Sequence, residues 1–150
     1  MNLLVAENLS AVANAAYCGI ALGWTRPMKQ FADDQVPEGV GISINNKFFV
    51  DGNNPDKSSP VYGGWGITGI IPPFNVIGET SPAGKTFDIF IRSFKLKRDA
   101  NGQLIINPTT HQYEWDLVNY ADSSKITYVV PAGFSCSAPA PTITTKRPKK

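Results

Sequence analysis

The chain has 150 residues, a length that sets one domain as the expectation and buries ~70% of the surface an unfolded chain exposes. An apolar fraction of 42% with 17% charged residues excludes the composition of a disordered chain. The net charge is +2, but Lys146, Arg147, Lys149 and Lys150 hold four of the fourteen cations, so the body is left with ten cations against twelve acids. That balance argues against a basic nucleic-acid-binding surface on the folded part.

Taken in chain order, Leu3 to Leu22 is rich in Ala and Leu, with no Pro and no Gly before Gly19. Leu9, Val12, Ala13, Ala16, Tyr17 and Ile20 recur at spacings of three and four, which predicts a helix with one apolar face. Asn2 or Ser10 would cap it, and Gly19 and Gly23 would stop it. The segment 1–24 is therefore expected to pack on the body or on a neighbouring subunit, with Leu9, Val12, Tyr17 and Ile20 as the interface. Its most apolar run, Val12 to Trp24, is shorter than the ~20 residues a membrane span needs. Ala13-Asn14-Ala15 resembles a cleavage site, but no Lys or Arg precedes it, so the expectation is intracellular synthesis without a signal peptide.

Residues 25–134 read as a β-rich body. Thr25 to Gly39, with Pro27 and Pro37, is an irregular crossing. Val40 to Val50 is a hairpin candidate turning at Asn45-Asn46. Asp51 to Pro60 collects turn formers, and Val61 to Ile71 is punctuated by Gly, which suggests bulges or close backbone approach. Phe74 to Ile77 is a short strand candidate. The centre of the chain is Thr86 to Ile106. There Phe87, Ile89 and Ile91 face one way and Phe90, Phe94 and Leu96 the other, as in a strand covered on both sides. Asn101-Gly102 predicts a type I′ turn back into Leu104–Ile106. Gln112 to Val118 alternates, with Tyr113, Trp115 and Leu117 on one face, and Lys125 to Val130 repeats the pattern after a short turn.

Roughly seven or eight strands at close spacing predict an antiparallel β-sandwich or a jelly-roll-like barrel. With the parts at either end, the expected fold is mainly β, with one N-terminal helix and an extended Pro/Ser/Thr-rich basic tail over 135–150. Two cysteines do not make a disulfide framework. One bridge between Cys18 and Cys136 can be drawn, but two buried thiols in a reducing compartment are the favoured expectation.

Catalytic chemistry has few handles. His111 is the only histidine, no Gly-x-Ser-x-Gly elbow is present, and one His with two distant Cys cannot close a zinc site. Glu114 and Asp116 read as the wet face of a strand. Gly84-Lys85-Thr86 copies the end of a phosphate loop without its first Gly and leads into a strand, so no nucleotide cofactor is expected. No metal is expected either: Asp51 to Asp56 offers oxygen ligands but lacks the Gly and terminal Glu of a calcium loop. The three tryptophans Trp24, Trp65 and Trp115, with Tyr62 and Tyr113, could form a stacking platform, against the plainer reading that they are core.

Three functions follow. The leading one is a non-enzymatic structural or assembly subunit, such as a capsid, decoration or tail component of a virion, whose partners are copies of itself or other subunits. The second is a glycan- or small-ligand-binding β-domain using Trp65, Tyr62, Asp51, Asn53 and Asp56. The third is contact between the tail, Lys146 to Lys150, and an anionic partner such as nucleic acid.

Overall fold

A computed structural model of the chain describes residues 2–54 and 56–137. The strands, in order, are β1 (Asn2–Leu3), β2 (Glu7–Asn14), β3 (Gly19–Thr25), β4 (Asp34–Gln35), β5 (Gly39–Ile44), β6 (Lys47–Phe48), β7 (Gly63–Gly64), β8 (Gly69–Ile70), β9 (Thr86–Leu96), β10 (Trp115–Asp122) and β11 (Ile126–Val129). The protein is mainly β, and no helix occurs among the described residues. The main sheet runs β10-β9-β5-β6, with β11 also on β9 and β7 also on β5; a second sheet runs β2-β3-β8. Both sheets are antiparallel, and β1 and β4 form a separate parallel pair.

The long strand β9 organises the main sheet. Phe87, Ile89 and Ile91 are buried on one face, where they join Val40, Ile42 and Ile44 of β5 and Ile20, Leu22 and Trp24 of β3 in a single core. The other face is covered too. Phe94 is 1% exposed beneath Tyr120, and Gly39 and Gly41 of β5 leave room there for Trp115, Phe94 and Phe48. The two-sided apolar pattern of β9 thus reports burial on both sides.

The N-terminal segment is a β-hairpin and not the helix expected over 3–22. Leu9, Ala11 and Ala13 pack against the core while Asn8, Ser10 and Val12 face out, a period of two. In β3, Ile20, Leu22 and Trp24 are buried in turn. The three- and four-residue spacing was a coincidence within a sequence that also alternates, and tertiary pairing overrode the helix propensity of Ala and Leu. The turn between the strands is closed by Asn14 Oδ1, which accepts the Tyr17 N–H at 2.9 Å, and by Cys18 at a φ of 49°. Cys18 is bonded to Cys136, so the expected pair of free thiols is corrected: each has the other within reach once the hairpin forms.

Two turns exchange roles. Asn45 and Asn46 both have positive φ, 52° and 65°, which gives the type I′ geometry between β5 and β6. At Asn101-Gly102 only Gly102 does, at 80°. The loop there is one residue longer: Gly102 N–H donates to Asp99 O at 3.0 Å and Asp99 N–H to Gln103 O at 2.9 Å, with the Asp99 carboxylate accepting from Asn101 and Gln103. An aspartate one turn earlier had captured the backbone donors. Leu104 pairs back with Arg98 as expected, but Ile106 pairs forward with Tyr113. Phe74 to Ile77 is a turn and not a strand; Phe74 is a core plug against Phe87 and Phe134. The basic tail residues Lys146, Arg147, Lys149 and Lys150 lie outside the described residues.

Candidate functional site

The segment between β3 and β4 projects two large apolar side chains, Met28 and Phe31, from the surface. Pro27 cannot donate to a ladder, and it follows the last residues of β3 closely. Seven residues on, the side chain of Asp34 reaches back. Its Oδ2 accepts the N–H groups of Gln30 and Phe31, each at 2.9 Å, and its Oδ1 accepts the Asn2 side-chain amide at 2.9 Å. Asp34 N–H in turn donates to Phe31 O at 3.0 Å. The carboxyl is held below the ordinary carboxylate range, first by the Asn2 amide and then by the two backbone N–H groups. The loop is thereby fixed by a residue that is only 5% exposed, yet it holds Met28 at 80% and Phe31 at 67% exposure. Beside them Pro27, Val36 and Trp65 line a groove of about 490 Å³, flanked by Arg26 and Lys29.

Trp65, weighed as a stacking surface against the plainer reading of core, is 6% exposed, and its Nε1–H is buried with no acceptor among the described residues. Trp24, by contrast, donates its Nε1–H to Ile67 O at 3.1 Å. An unpaired buried donor costs about 1–3 kcal/mol, so Trp65 is held by its packing. Tyr62 stacks on Phe49, centroids 5.5 Å apart at 24°; burial and then the charge of Asp51 push its hydroxyl pKa up. The oxygens of the 51–58 loop are engaged locally: Asp51 Oδ1 accepts Asn53 N–H at 3.0 Å, and Asp56 Oδ1 accepts the Ser58 hydroxyl at 2.6 Å and its N–H at 3.0 Å. Trp65 lines the groove beside Met28, whereas Asn54 and Asp56 line a cleft with residues 107–117. Among the described residues no group of three or more His, Cys, Asp or Glu gathers as a metal site.

The expected interface splits. Val12 and Tyr17 are exposed, 60% and 68%, whereas Ile20 is fully buried and Leu9 packs on the core. His111 sits at a φ of 60° on an exposed turn, its N–H donating to Asn107 O at 2.8 Å.

Two further depressions border β10. One, about 830 Å³, lies between it and β1. Its cations are already committed, Arg98 to Glu38 at 2.8 Å and Lys95 to the same carboxylate at 3.7 Å; Asp116 closes its own turn onto Asn119. The other, about 300 Å³, lies between the 54–59 loop and residues 107–117, with Asp56, Gln112, Tyr113, Glu114 and Trp115 on its walls. Sequence reasoning missed Met28 and Phe31. The available signal was two large apolar side chains in a segment otherwise full of turn formers, where nothing local could bury them.

Comparison with family models, with curated proteins and with solved structures returned no match.

Proposed function

We propose that the chain is a non-enzymatic structural subunit that joins a larger assembly, such as a virus particle, through the Met28–Val36 loop. The observation that carries this reading is the anchored exposure of Met28 and Phe31. A mobile loop could fold its apolar side chains down, but this one is tied to Asp34 and presents them outward. Their ordering cost is already met by the fold, which favours docking on a partner. The exposed Val12 and Tyr17 of the N-terminal hairpin support contact by a second surface. The same reading takes the two sheets as the layers of a β-sandwich, supported by the core that β3 shares with β5 and β9.

Size-exclusion chromatography with light scattering tests it. Wild type is expected to self-associate as concentration rises. The double variant Met28→Asp, Phe31→Asp should remain a monomer with an unchanged thermal midpoint, because both residues are exposed. A wild-type protein that stays monomeric at the highest attainable concentration would count decisively against self-assembly by this loop.

A further inference from the structure

We infer that the cleft between the 54–59 loop and residues 107–117 binds an uncharged pyranose, as a free sugar or as the terminal ring of a glycan. Its side chains keep hydrogen-bonding groups to offer a ligand. The acceptor oxygens of Asn54, Ser59 and Thr110 are consumed by backbone N–H groups of Asp56, Val61 and Gln112, at 2.9, 3.2 and 3.3 Å. Each side chain is thereby pinned, while its own donor, the Asn54 NH₂ or a hydroxyl hydrogen, has no partner among the described residues. The wall also holds two carboxylates: Asp56, whose Oδ1 is taken by Ser58 and whose Oδ2 has no partner among the described residues, and Glu114, whose Oε2 accepts the Asn107 amide only at 3.4 Å. Donors and acceptors fixed side by side match sugar hydroxyls, each of which both donates and accepts.

The second component is an aromatic face. Tyr113 is 51% exposed on the same wall, and Trp115 lies beside it, fixed against β5 at Gly39. A pyranose has one face of C–H groups that lies flat on such a ring. The cleft, about 300 Å³, is at the small end of ligand-site sizes and suits one or two sugar rings.

Charge decides the class. Among the described residues two carboxylates and no Lys or Arg line the cleft, and the cation beside it, Lys97, is already paired with Glu114 at 3.9 Å. A nucleotide or a sulfated or acidic sugar could stack on Tyr113 equally well, but it would bring its anion to a wall whose acids outnumber that one committed cation. Neutral sugars incur no such cost.

Saturation-transfer NMR tests this with glucose, galactose, mannose and N-acetylglucosamine at about 10 mM each, against glucuronate and glucose 6-phosphate as anionic controls. The expected result is transfer to ring protons of at least one neutral sugar and none to either anion. Tyr113→Ala should weaken binding about tenfold or more, and Tyr113→Phe should keep most of it. The assembly variant Met28→Asp, Phe31→Asp should bind as wild type does, which separates this site from the assembly surface. Tyr113 is half exposed, so its replacement should leave the thermal midpoint in place. Silence from all four sugars overturns the proposal, as does binding that is indifferent to Tyr113→Ala or equal for the anions.

Discussion

Cys18 and Cys136 are joined by a disulfide across 118 residues of sequence. The bond fastens the last described segment to the turn between β2 and β3, where Ser137 N–H also donates to Ala15 O at 3.0 Å. Closing a loop of that length removes denatured-chain entropy equivalent to about 5 kcal/mol in the chain-entropy account. Reduction, or the pair Cys18→Ser and Cys136→Ser, is expected to lower the unfolding free energy by about 2–5 kcal/mol. Urea titrations with and without dithiothreitol measure this. Superimposable curves would show that the bond constrains nothing in the unfolded chain. Such bonds persist in oxidising surroundings, whereas the free thiols expected from the cysteine count are the form a reducing compartment keeps.

Arg92 is held from two directions on the outer side of β9. Its Nε and Nη2 donate to the two oxygens of Asp122 at 2.6 and 2.9 Å, and its guanidinium lies 3.6 Å from the centroid of Tyr120. A lysine cannot make the two-pronged bond and lie flat on a ring at once. Arg92→Lys is therefore expected to cost about 1 kcal/mol, a figure kept small because Asp122 is partly in water. Tyr120→Leu should remove the share of the Arg–Lys difference that comes from the ring and leave the share from the two-pronged bond to Asp122. A double-mutant cycle by thermal unfolding reads it, and strict additivity would mean the ring and the cation do not interact.

How far the sequence could be read depends on how local each determinant is. The two-sided burial of β9 was legible because eleven residues carry it without help. The Asn45-Asn46 turn was legible because both residues tolerate positive φ. The hairpin β2–β3 was not, since Leu9, Val12, Ala13 and Tyr17 satisfy a helical spacing while Leu9, Ala11 and Ala13 satisfy an alternating one, and only the partner strands choose between them. Trp65 as core was the plainer reading of an aromatic at strand spacing, whereas which loops cover it was not legible. Met28 and Phe31 became prominent through Asp34, whose role as an anchor requires the chain to return beside residues 30 and 31.

That anchor makes an acid-sensitivity prediction. The Asn2 amide and the N–H groups of Gln30 and Phe31 favour the ionised form of Asp34 and depress its pKa in the folded protein. Its contribution to stability is therefore complete at neutral pH, above the ordinary aspartate pKa of about 3.9. It is lost as the pH falls through the depressed folded value. The amide proton shifts of Gln30 and Phe31 should move together, with a midpoint below about pH 3.9. In Asp34→Asn the shared movement should vanish, and the two amides should exchange faster with solvent at neutral pH. Independent titration of the two amides would mean that Asp34 does not hold them both.

The covered outer face of the main sheet supplies the last prediction. A Cβ added at Gly41 would overlap the carbonyl oxygen of Pro60 and lie 2.9 Å from Phe94 Cε2; one added at Gly39 would lie 2.6 Å from two atoms of the Trp115 ring. Backbone at one site and a packed indole at the other leave little room to yield. Gly41→Ala is expected to destabilise by about 1–3 kcal/mol, the range for overpacking. Gly52→Ala is the control: nothing lies within 4 Å of its added Cβ, and its effect should stay within about 1 kcal/mol, with stabilisation the more natural sign. Gly39→Ala should do something further, because Trp115 can escape only by shifting along the cleft it lines. Its indole fluorescence should change in the folded protein, and neutral-sugar binding should weaken with it. A Gly39→Ala protein with wild-type emission and stability would mean that Trp115 is not pressed against β5 in solution, and the wall it builds beside Tyr113 would lose its support.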